Sequence, residues 1–592
     1  MNSHPSGCLQ NRQSVSQNGL LLAVGLMSAI SVLHFLSPHH IEHAQAQTTP
    51  VELPRPQDTL PPPLTPQPEL LPAQDLPSAD ELLDQPQDQP NQSPVPRDSG
   101  MFLIKRFEFV NNTAFDDETL QGVTHEFTGE SQTFADVTAA RAAVTQLYID
   151  EGYATSGAIV PPQQIVDGIV LMEIIEGSLS EILVTGNRRL HPGYISSRIA
   201  LGATAPLNVN TLVKRLQLLQ LDPLITTISA DLQASPQAGQ NRLVVSVVEA
   251  DSFGITYTLD NNRSPSVGTV RNQLQATEAN LLGLGDRLSI GYTTTSGSNG
   301  INVDYTLPVS PHGSTLRLAV DTSDNDVIEK PFDVLDIDSD SNFFELTLKY
   351  PLKFTPAQEF AIGLTASHQR AQTSLGIDDI GPIPLSLGAD NEGRTRVSAL
   401  RFFQAWTQRS TAEVLALRSQ FNLGLDMLDA TVNDGDIPDS RFFSWQGQAQ
   451  WLRILAPDTL LLLKGSAQLT TDPLLSLEQL SLGGQSTVRG YRQNLLSTDN
   501  GLLASAEVRL PIWRDRTNDR LLQVTPFLEA GYGWNREGNN PDPLASVGIG
   551  LLFRQQDLIG RLDWGIPLIS EEDDRDSLQE NGLYFTLQYS FF

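Results

Sequence analysis

Beyond Ala250 the helical period disappears from this sequence and does not return. Its place is taken by segments of about ten residues in which apolar and polar side chains alternate, separated by turn residues. Clear cases are Leu288 to Tyr292, Thr315 to Val320, Phe360 to Ser367, Val397 to Ala405 and Gly582 to Phe591. Successive side chains of a strand point to opposite faces, so each such segment has one apolar and one polar face. After the N-terminal region no apolar run reaches the roughly 18 residues that a helical span needs, so any membrane crossing must be made of strands, and strands can cross only as a closed barrel. The expected fold is therefore membrane all-β, with lipid outside and a polar lumen within. A soluble β-sandwich would explain the alternation too.

Between Asp251 and Phe592 about sixteen strands can be counted, which leaves roughly 21 residues for each strand and its connection. An even number returns the C-terminus to the side on which the chain enters. Short turns at Leu455 to Thr459 and Arg514 to Arg520 then fall on the inner side, and long acidic connections, Asp321 to Asn342 and Ser570 to Asn581, on the outer side. The last segment sets Leu583, Phe585, Leu587, Tyr589 and Phe591 on one face, as a lipid-facing final strand should. Its aromatic end at Phe592 suits recognition by a barrel assembly machinery.

Upstream, Leu20 to Leu36 is apolar but short and leads to Ala44-Gln45-Ala46, so residues 1–46 are expected to be a secretory signal peptide. An uncleaved anchor is the alternative, weakened by His34 within the run and Pro38 just after it. Residues 47–100, with Pro61-Pro62-Pro63, have the composition of a semi-extended Pro-rich linker. Two α/β units of about 75 residues follow, at 101–177 and 178–250, each in the order strand, helix, helix, strand, strand. In the first, Asp117 to Glu126 is a short helix. Val137, Ala140, Val144 and Leu147 form a helical stripe over Thr133 to Glu151, capped by Thr133 and stopped by Gly152, and Ser156 to Val160 and Gly168 to Ile175 are strands. In the second, the strands are Leu179 to Thr185, Ile225 to Leu232 and Leu243 to Glu249, and the helices Pro192 to Ile199 and Asn208 to Leu219.

A formal net charge of −31 argues against nucleic acid as a partner, because phosphate binding needs clustered Lys and Arg. Cys8, the only cysteine, precedes the apolar run, so neither disulfide nor thiolate chemistry is expected in the mature chain. There is no P-loop, hence no nucleotide. His40-Ile41-Glu42-His43 falls in the segment expected to be removed. The run Asp336 to Asn342 lacks the Gly and Glu of a calcium loop and reads as a solvated outer loop. No metal, no cofactor and no enzyme activity are expected.

In the long connection after Thr470 stand Leu482-Gly483-Gly484 and Val488-Arg489-Gly490-Tyr491. They resemble the loop motif of the outer-membrane polypeptide-transport superfamily, whose barrels fold that loop back into the lumen. Downstream, Phe527, Glu529 and Gly531 resemble the family's F-x-D-x-G strand, with Glu529 in place of Asp. The resemblance implies that Glu529 faces inward and pairs with Arg489; a guanidinium in a narrow lumen needs such a carboxylate. Read without the family, Arg489 would be an exposed loop arginine and Glu529 an ordinary lumen residue. Gly152-Tyr153-Ala154-Thr155, Pro161-Pro162-Gln163, Gly168 and Glu176-Gly177 resemble the first polypeptide-transport-associated (POTRA) domain of hemolysin secretion and activation proteins. Leu221-Asp222-Pro223, Gly239 and the turn Asn280 to Asp286 stand at family-like places.

The resemblance implies the outer-membrane transporter of a two-partner secretion system, its POTRA domains in the periplasm. An unfolded exoprotein would add to a strand edge such as Ser156, Gly157, Ala158, Ile159 and Val160, beside the helix of Val144 and Leu147, two residues better read as core of that domain, and then thread the barrel. The expected partners are that exoprotein, outer-membrane lipid and the machinery that inserts the barrel. A β-barrel assembly factor and a passive porin are the alternative functions. Several relatives carry a plug helix before the linker, and no helical pattern precedes Pro54 here.

Overall fold

A computed structural model describes residues 54, 56–59, 77–84, 101–377, 381–536, 542–569 and 577–591. The expected signal peptide, Pro61 to Pro63 and most of the Ser570 connection lie outside these residues.

The alternating segments become a closed antiparallel barrel running from Phe253–Asp260 to Leu583–Ser590. Sixteen strands form its wall; Gly381–Pro384 only adds a flap to Gln358–Ile377, which pairs directly with Arg394–Arg409. Ile337–Phe354 shows why the sequence alternates. Phe344, Leu346, Leu348, Tyr350 and Leu352 stand outward, 47–56% exposed, as is tolerable only in lipid, while Glu345, Thr347 and Lys349 turn inward. Inside, charges pair across the wall: Arg317 with Glu345 at 2.6 Å and Lys349 with Glu359 at 2.5 Å. In the last strand Leu587, Tyr589 and the following Phe591 face outward, and Tyr584 is buried in the lumen.

The expected outer loop Asp321 to Asn342 is a correction. Strand Thr315–Asp326 continues to its own end and pairs with Ile337–Phe354, Asp324 opposite Asp340, so only the short connection 327–336 is loop. A hairpin projecting past the bilayer needs no apolar face, so its strands look like loop in composition although the ladder continues. Successive side chains of Ile337 to Asn342 point to opposite faces and do not converge as ion ligands would.

In the first α/β unit, Ile169–Ile175 is flanked by Arg106–Val110 in parallel and by the edge strand Gly157–Ile159. Helix Phe134–Asp150 covers this sheet, with Thr133 and Asp136 forming a capping box. Its buried stripe is Val137, Ala140, Val144 and Tyr148; Leu147, expected in that stripe, is only partly buried at its flank. Where the short edge strand stops, the Gln163 side chain takes over the ladder, bonding Leu171 N at 2.7 Å and Leu171 O at 2.6 Å.

The second unit repeats the plan with Ser178–Thr185, helices Pro192–Ala200 and Val209–Gln220, and strands Ile225–Ala234 and Gln240–Glu249. A carboxylate ties the loop after the first strand in both copies. Glu176 accepts from Thr113 N (2.7 Å), Ala114 N (2.8 Å) and Tyr148 Oη (3.0 Å). Glu249 accepts from Arg188 N (2.6 Å), Arg189 N (3.1 Å) and Leu190 N (2.9 Å). Burial works against both carboxylates, yet the donors prevail and hold each below the usual carboxylate range.

The second unit is seated on the first inner turn of the barrel. Gly285, at φ +76°, lies so close to the Tyr194 ring that a Cβ there would come within 2.2 Å, and His191 N donates to Gly283 O at 2.8 Å. Buried Asp286 holds the turn by accepting from Leu282 N (3.0 Å) and Tyr305 Oη (3.0 Å).

The reading of 47–100 as linker throughout also needs correction. Pro56–Thr59 forms a helical turn whose Gln57, Asp58 and Thr59 are buried among the outer loops, with Arg263 donating to Thr59 O at 3.0 Å and Asn494 to Gln57 O at 2.9 Å. Ala79–Leu82 and Leu83–Asp84 pack on the second unit, Leu82 and Leu83 being 2% exposed. Composition averages over the stretch, whereas a few well-placed side chains suffice to anchor it.

Candidate functional site: a loop clamped inside the lumen

The connection from Thr459–Thr470 to Asn500–Asp515 starts at the outer end of the barrel and folds inward. Leu480–Leu482 and Leu496–Thr498 pair as the stem of a small hairpin, and Gly483 and Gly484, at φ +104° and +96°, let its tip turn sharply. The tip carries Val488 to Tyr491 down to the middle of the wall.

There Arg489, 4% exposed, meets the strand Arg520–Trp534. Its Nε and Nη2 reach Glu529 Oε1 at 3.0 and 2.5 Å, and its backbone N donates to Glu529 Oε2 at 2.7 Å. Its Nη1 lies 3.1 Å from Glu507 and 3.2 Å from Asp563, on two further strands. Arg509 pairs with Glu507 at 2.9 Å, and Arg561 with Glu507 and Asp563, both at 2.6 Å. Three guanidinium groups thus face three carboxylates, a balance that buried charge requires. Phe527 lies flat beneath, its centroid 3.4 Å from the Arg489 guanidinium carbon.

The neighbouring motif residues have geometric tasks. Val488 is fully buried against Leu482, and a Cβ on Gly531 would stand 3.0 Å from Val488 Cγ2, so glycine leaves the wall open for the loop. Gly490, at φ +104°, crosses the backbone of Gly565, where any side chain would wedge the two apart. Tyr584 Oη accepts from Gly490 N at 3.0 Å and donates to Tyr491 O. Tyr491 Oη lies 2.9 Å from the carbonyls of both Ala545 and Ile569. Two further clamps hold the loop: Arg401 grips Glu478 at 2.6 and 2.9 Å, and Arg492 meets Glu329 at 2.9 Å.

The structure therefore brings together Val488, Arg489, Gly490, Tyr491, Phe527, Glu529 and Gly531. Sequence reasoning missed Glu507, Arg509, Arg561, Asp563 and Tyr584. Charges two apart, Glu507 with Arg509 and Arg561 with Asp563, share the inward face of a strand, and that spacing was the available signal. The edge expected at Ser156 to Val160 lies far from this cluster. Only Gly157–Ile159 is strand. Ser156 is buried, its Oγ accepting from Gly177 N at 2.9 Å, and Val160 packs against the core, so these two support the edge from within. Val144 is core, and Leu147 packs against it.

Comparison with known proteins settles the family. The model for haemolysin secretion/activation proteins ShlB/FhaC/HecB matches residues 239–553, and a ShlB-type POTRA domain matches residues 102–177. The chain belongs to this family. It is an outer-membrane pore for the translocation of a secreted protein, with its POTRA domains in the periplasm. The heme/hemopexin transporter protein HuxB of Haemophilus influenzae (strain 86-028NP) is 22% identical over 75% of this chain and 79% of the relative. The outer membrane transporter CdiB of Escherichia coli O6:K15:H31 is 25% identical over 62% of this chain and 61% of its own. In fold, CdiB from Escherichia coli superposes with a TM-score of 0.64 at 19% identity, over 84% of this chain and 92% of that one. BamA from Haemophilus ducreyi lacking POTRA domains 1–3 reaches 0.51 at 15% identity, over 83% and 100%. The soluble β-sandwich reading is thereby set aside.

Proposed function

We propose that the chain captures an extended, unfolded exoprotein in the periplasm and threads it through the barrel, the loop 471–499 acting as a gate clamped by Arg489. The observation that carries this reading is the Arg489 cluster itself. A buried guanidinium bound to three separate wall strands obstructs the lumen in the resting state, yet it belongs to a loop outside the barrel's own ladder and can withdraw without breaking a wall strand. A sixteen-stranded barrel is of the size that leaves an aqueous channel once unobstructed. No nucleotide is needed at this membrane; folding of the cargo outside the cell gives direction.

For capture we assign the edge Gly157–Ile159, where Ile159 is 39% exposed and Ile165 and Val166 nearby are also exposed, an apolar rim along the edge of the sheet. Ser156 and Val160 hold that edge in place. Lipid contacts follow from the outward apolar belt, and barrel assembly machinery is the expected agent of insertion.

One observation favours the assembly-factor reading. The first and last strands join through five residue pairs, Thr256–Asp260 with Thr586–Ser590, against eight between the first two strands, so this seam is the easiest to part. Quantitative proteomics of outer membrane and culture medium from cells with and without the gene decides. Loss of one or two large secreted proteins with the barrel inventory intact is expected. General depletion of outer-membrane barrels would replace the transporter with an assembly factor.

A further inference from the structure

The outward face of three neighbouring strands, Ile337–Phe354, Gln358–Ile377 and Arg394–Arg409, changes chemistry in three bands towards its outer end. Phe344, Leu364, Phe402 and Leu400 are exposed and end the apolar belt. Farthest out the face is acidic, with Asp338 and Asp340 opposite Asp326 and Asp324. Between these two bands stand Arg370 and Arg396. Both point outward, because their chain neighbours on the other register, Ala371, Thr395 and Val397, are buried inside.

Arg370 and Arg396 are direct partners in the ladder. The Cβ atoms of such a pair stand roughly 5 Å apart, and like charges there are destabilising. In a chain of 38 basic and 69 acidic residues a carboxylate could easily have been placed between them. Among the described residues neither guanidinium forms an ion pair. Arg370 Nε is buried with no hydrogen-bond partner, and Arg396 Nη1 has the carbonyl of Asp429 at 3.4 Å. Arg394, one rung farther out, is by contrast paired with Asp390 at 2.8 Å and Glu392 at 2.5 Å. The loop after Glu413–Leu425 folds against the same face. Ser398 Oγ donates to Met427 O and Arg396 N to Thr431 Oγ1, both at 2.8 Å, and Met427 and Leu428 are left 58% and 67% exposed. Two unneutralised cations and two bare apolar side chains thus adjoin one another at the edge of the belt.

We propose that Arg370 and Arg396 form a binding site for the phosphate group of an outer-leaflet lipid, with Met427 and Leu428 packing beside its acyl chains. A guanidinium presents paired N–H donors that match phosphate oxygens, so one phosphate between the two forks neutralises both and relieves their repulsion. The height fits. Arg396 lies four residues beyond Leu400, and at roughly 3.3 Å per residue on a strand tilted by about 40° this is on the order of 10 Å along the membrane normal, past the hydrocarbon edge and among the headgroups. The surroundings favour a lipid over a free anion. Asp340, diagonal to Arg370 on the neighbouring strand, and Asp429 stand outside ion-pair distance but on the solvent side, so an anion drifting in from water meets carboxylates first, whereas a lipid arrives from the apolar side. The site requires that the barrel lie in the outer membrane and is independent of any cargo.

The test uses the full chain in phosphatidylcholine nanodiscs. The probes are lipid A bisphosphate, the same lipid with its phosphates removed, and inorganic phosphate, read by native mass spectrometry and by displacement of labelled lipid A. The parent chain should bind lipid A bisphosphate at least tenfold more tightly than the dephosphorylated lipid. Arg370→Gln/Arg396→Gln should lose that preference while the barrel keeps its heat-modifiable migration. Met427→Ser/Leu428→Ser should weaken both lipids several-fold and leave the preference for phosphate intact; unchanged affinity there overturns the part given to those two side chains. Equal preference in the parent and the double arginine variant overturns the site. Complete displacement of lipid A by millimolar inorganic phosphate overturns the lipid as its source, since the anion then comes from solution. Should the double variant fail to insert, each single variant is read in its place, and a preference unchanged in both overturns the site.

Discussion

A guanidinium in the middle of a barrel is stable only while carboxylates surround it, which makes Arg489 the residue whose removal says most. Truncating one partner of a buried, hydrogen-bonded ion pair costs about 3–5 kcal/mol, because the remaining charges lose their compensation. Arg489→Ala removes the cation that Glu529, Glu507 and Asp563 share, while Arg509 and Arg561 still pair with Glu507, so the clamp fails while the wall keeps every ladder bond. The expected outcome is a barrel of normal heat-modifiable migration, a several-fold larger or noisier single-channel conductance in planar bilayers, and impaired secretion. Normal secretion by this variant would refute the gate. Arg489→Lys should behave much like the alanine variant, since an ammonium cannot reach three strands as a planar fork does. Glu529→Asp should be mild, because the backbone N of Arg489 stays within reach of a shorter carboxylate.

At the scale of the element, the two POTRA units are built by the same local rules, and the carboxylates Glu176 and Glu249 make this testable. Glu176 has its folded pKa held below the ordinary value of about 4.3, against the pull of burial, by Thr113, Ala114 and Tyr148. Its stabilisation is therefore complete at neutral pH, above the unfolded pKa, and is lost as pH falls through the lower folded value. Protection of residues 102–177 in hydrogen exchange, corrected for intrinsic rates, should decline from about pH 5 downward in the parent chain. Glu176→Gln should show lower protection already at pH 7 and a flatter acid limb. Equal pH profiles for the two would remove Glu176 from the account.

For the whole molecule, transport requires that capture, entry and gate lie along one path. The second unit is fixed to the barrel mouth through Tyr194 on Gly285 and through Arg189 with Glu278 at 3.2 Å, so it is held at the entrance. Deleting residues 102–250 should abolish secretion while the barrel still inserts and conducts. A passive porin would keep its conductance after that deletion, and unchanged conductance with no effect on any secreted protein would favour it.

The barrel, its strand number and the two α/β repeats were legible from the amino-acid sequence, and the inward-folded loop only through the family resemblance of its motif. Each rests on a local signal: a period of two, a period near 3.6, caps such as Thr133, or a short motif such as Val488 to Tyr491. The partners of Arg489 beyond Glu529 were not legible. Lumen-facing polar residues are everywhere in a barrel, and which of them converge depends on the stagger of Asn500–Asp515, Arg520–Trp534 and Leu558–Pro567, a relation among strands that no single segment encodes. The same holds for Leu82 and Leu83, which sit in a stretch whose composition says linker. A side chain is buried by what packs over it, and the residues that cover these two leucines lie more than a hundred positions away.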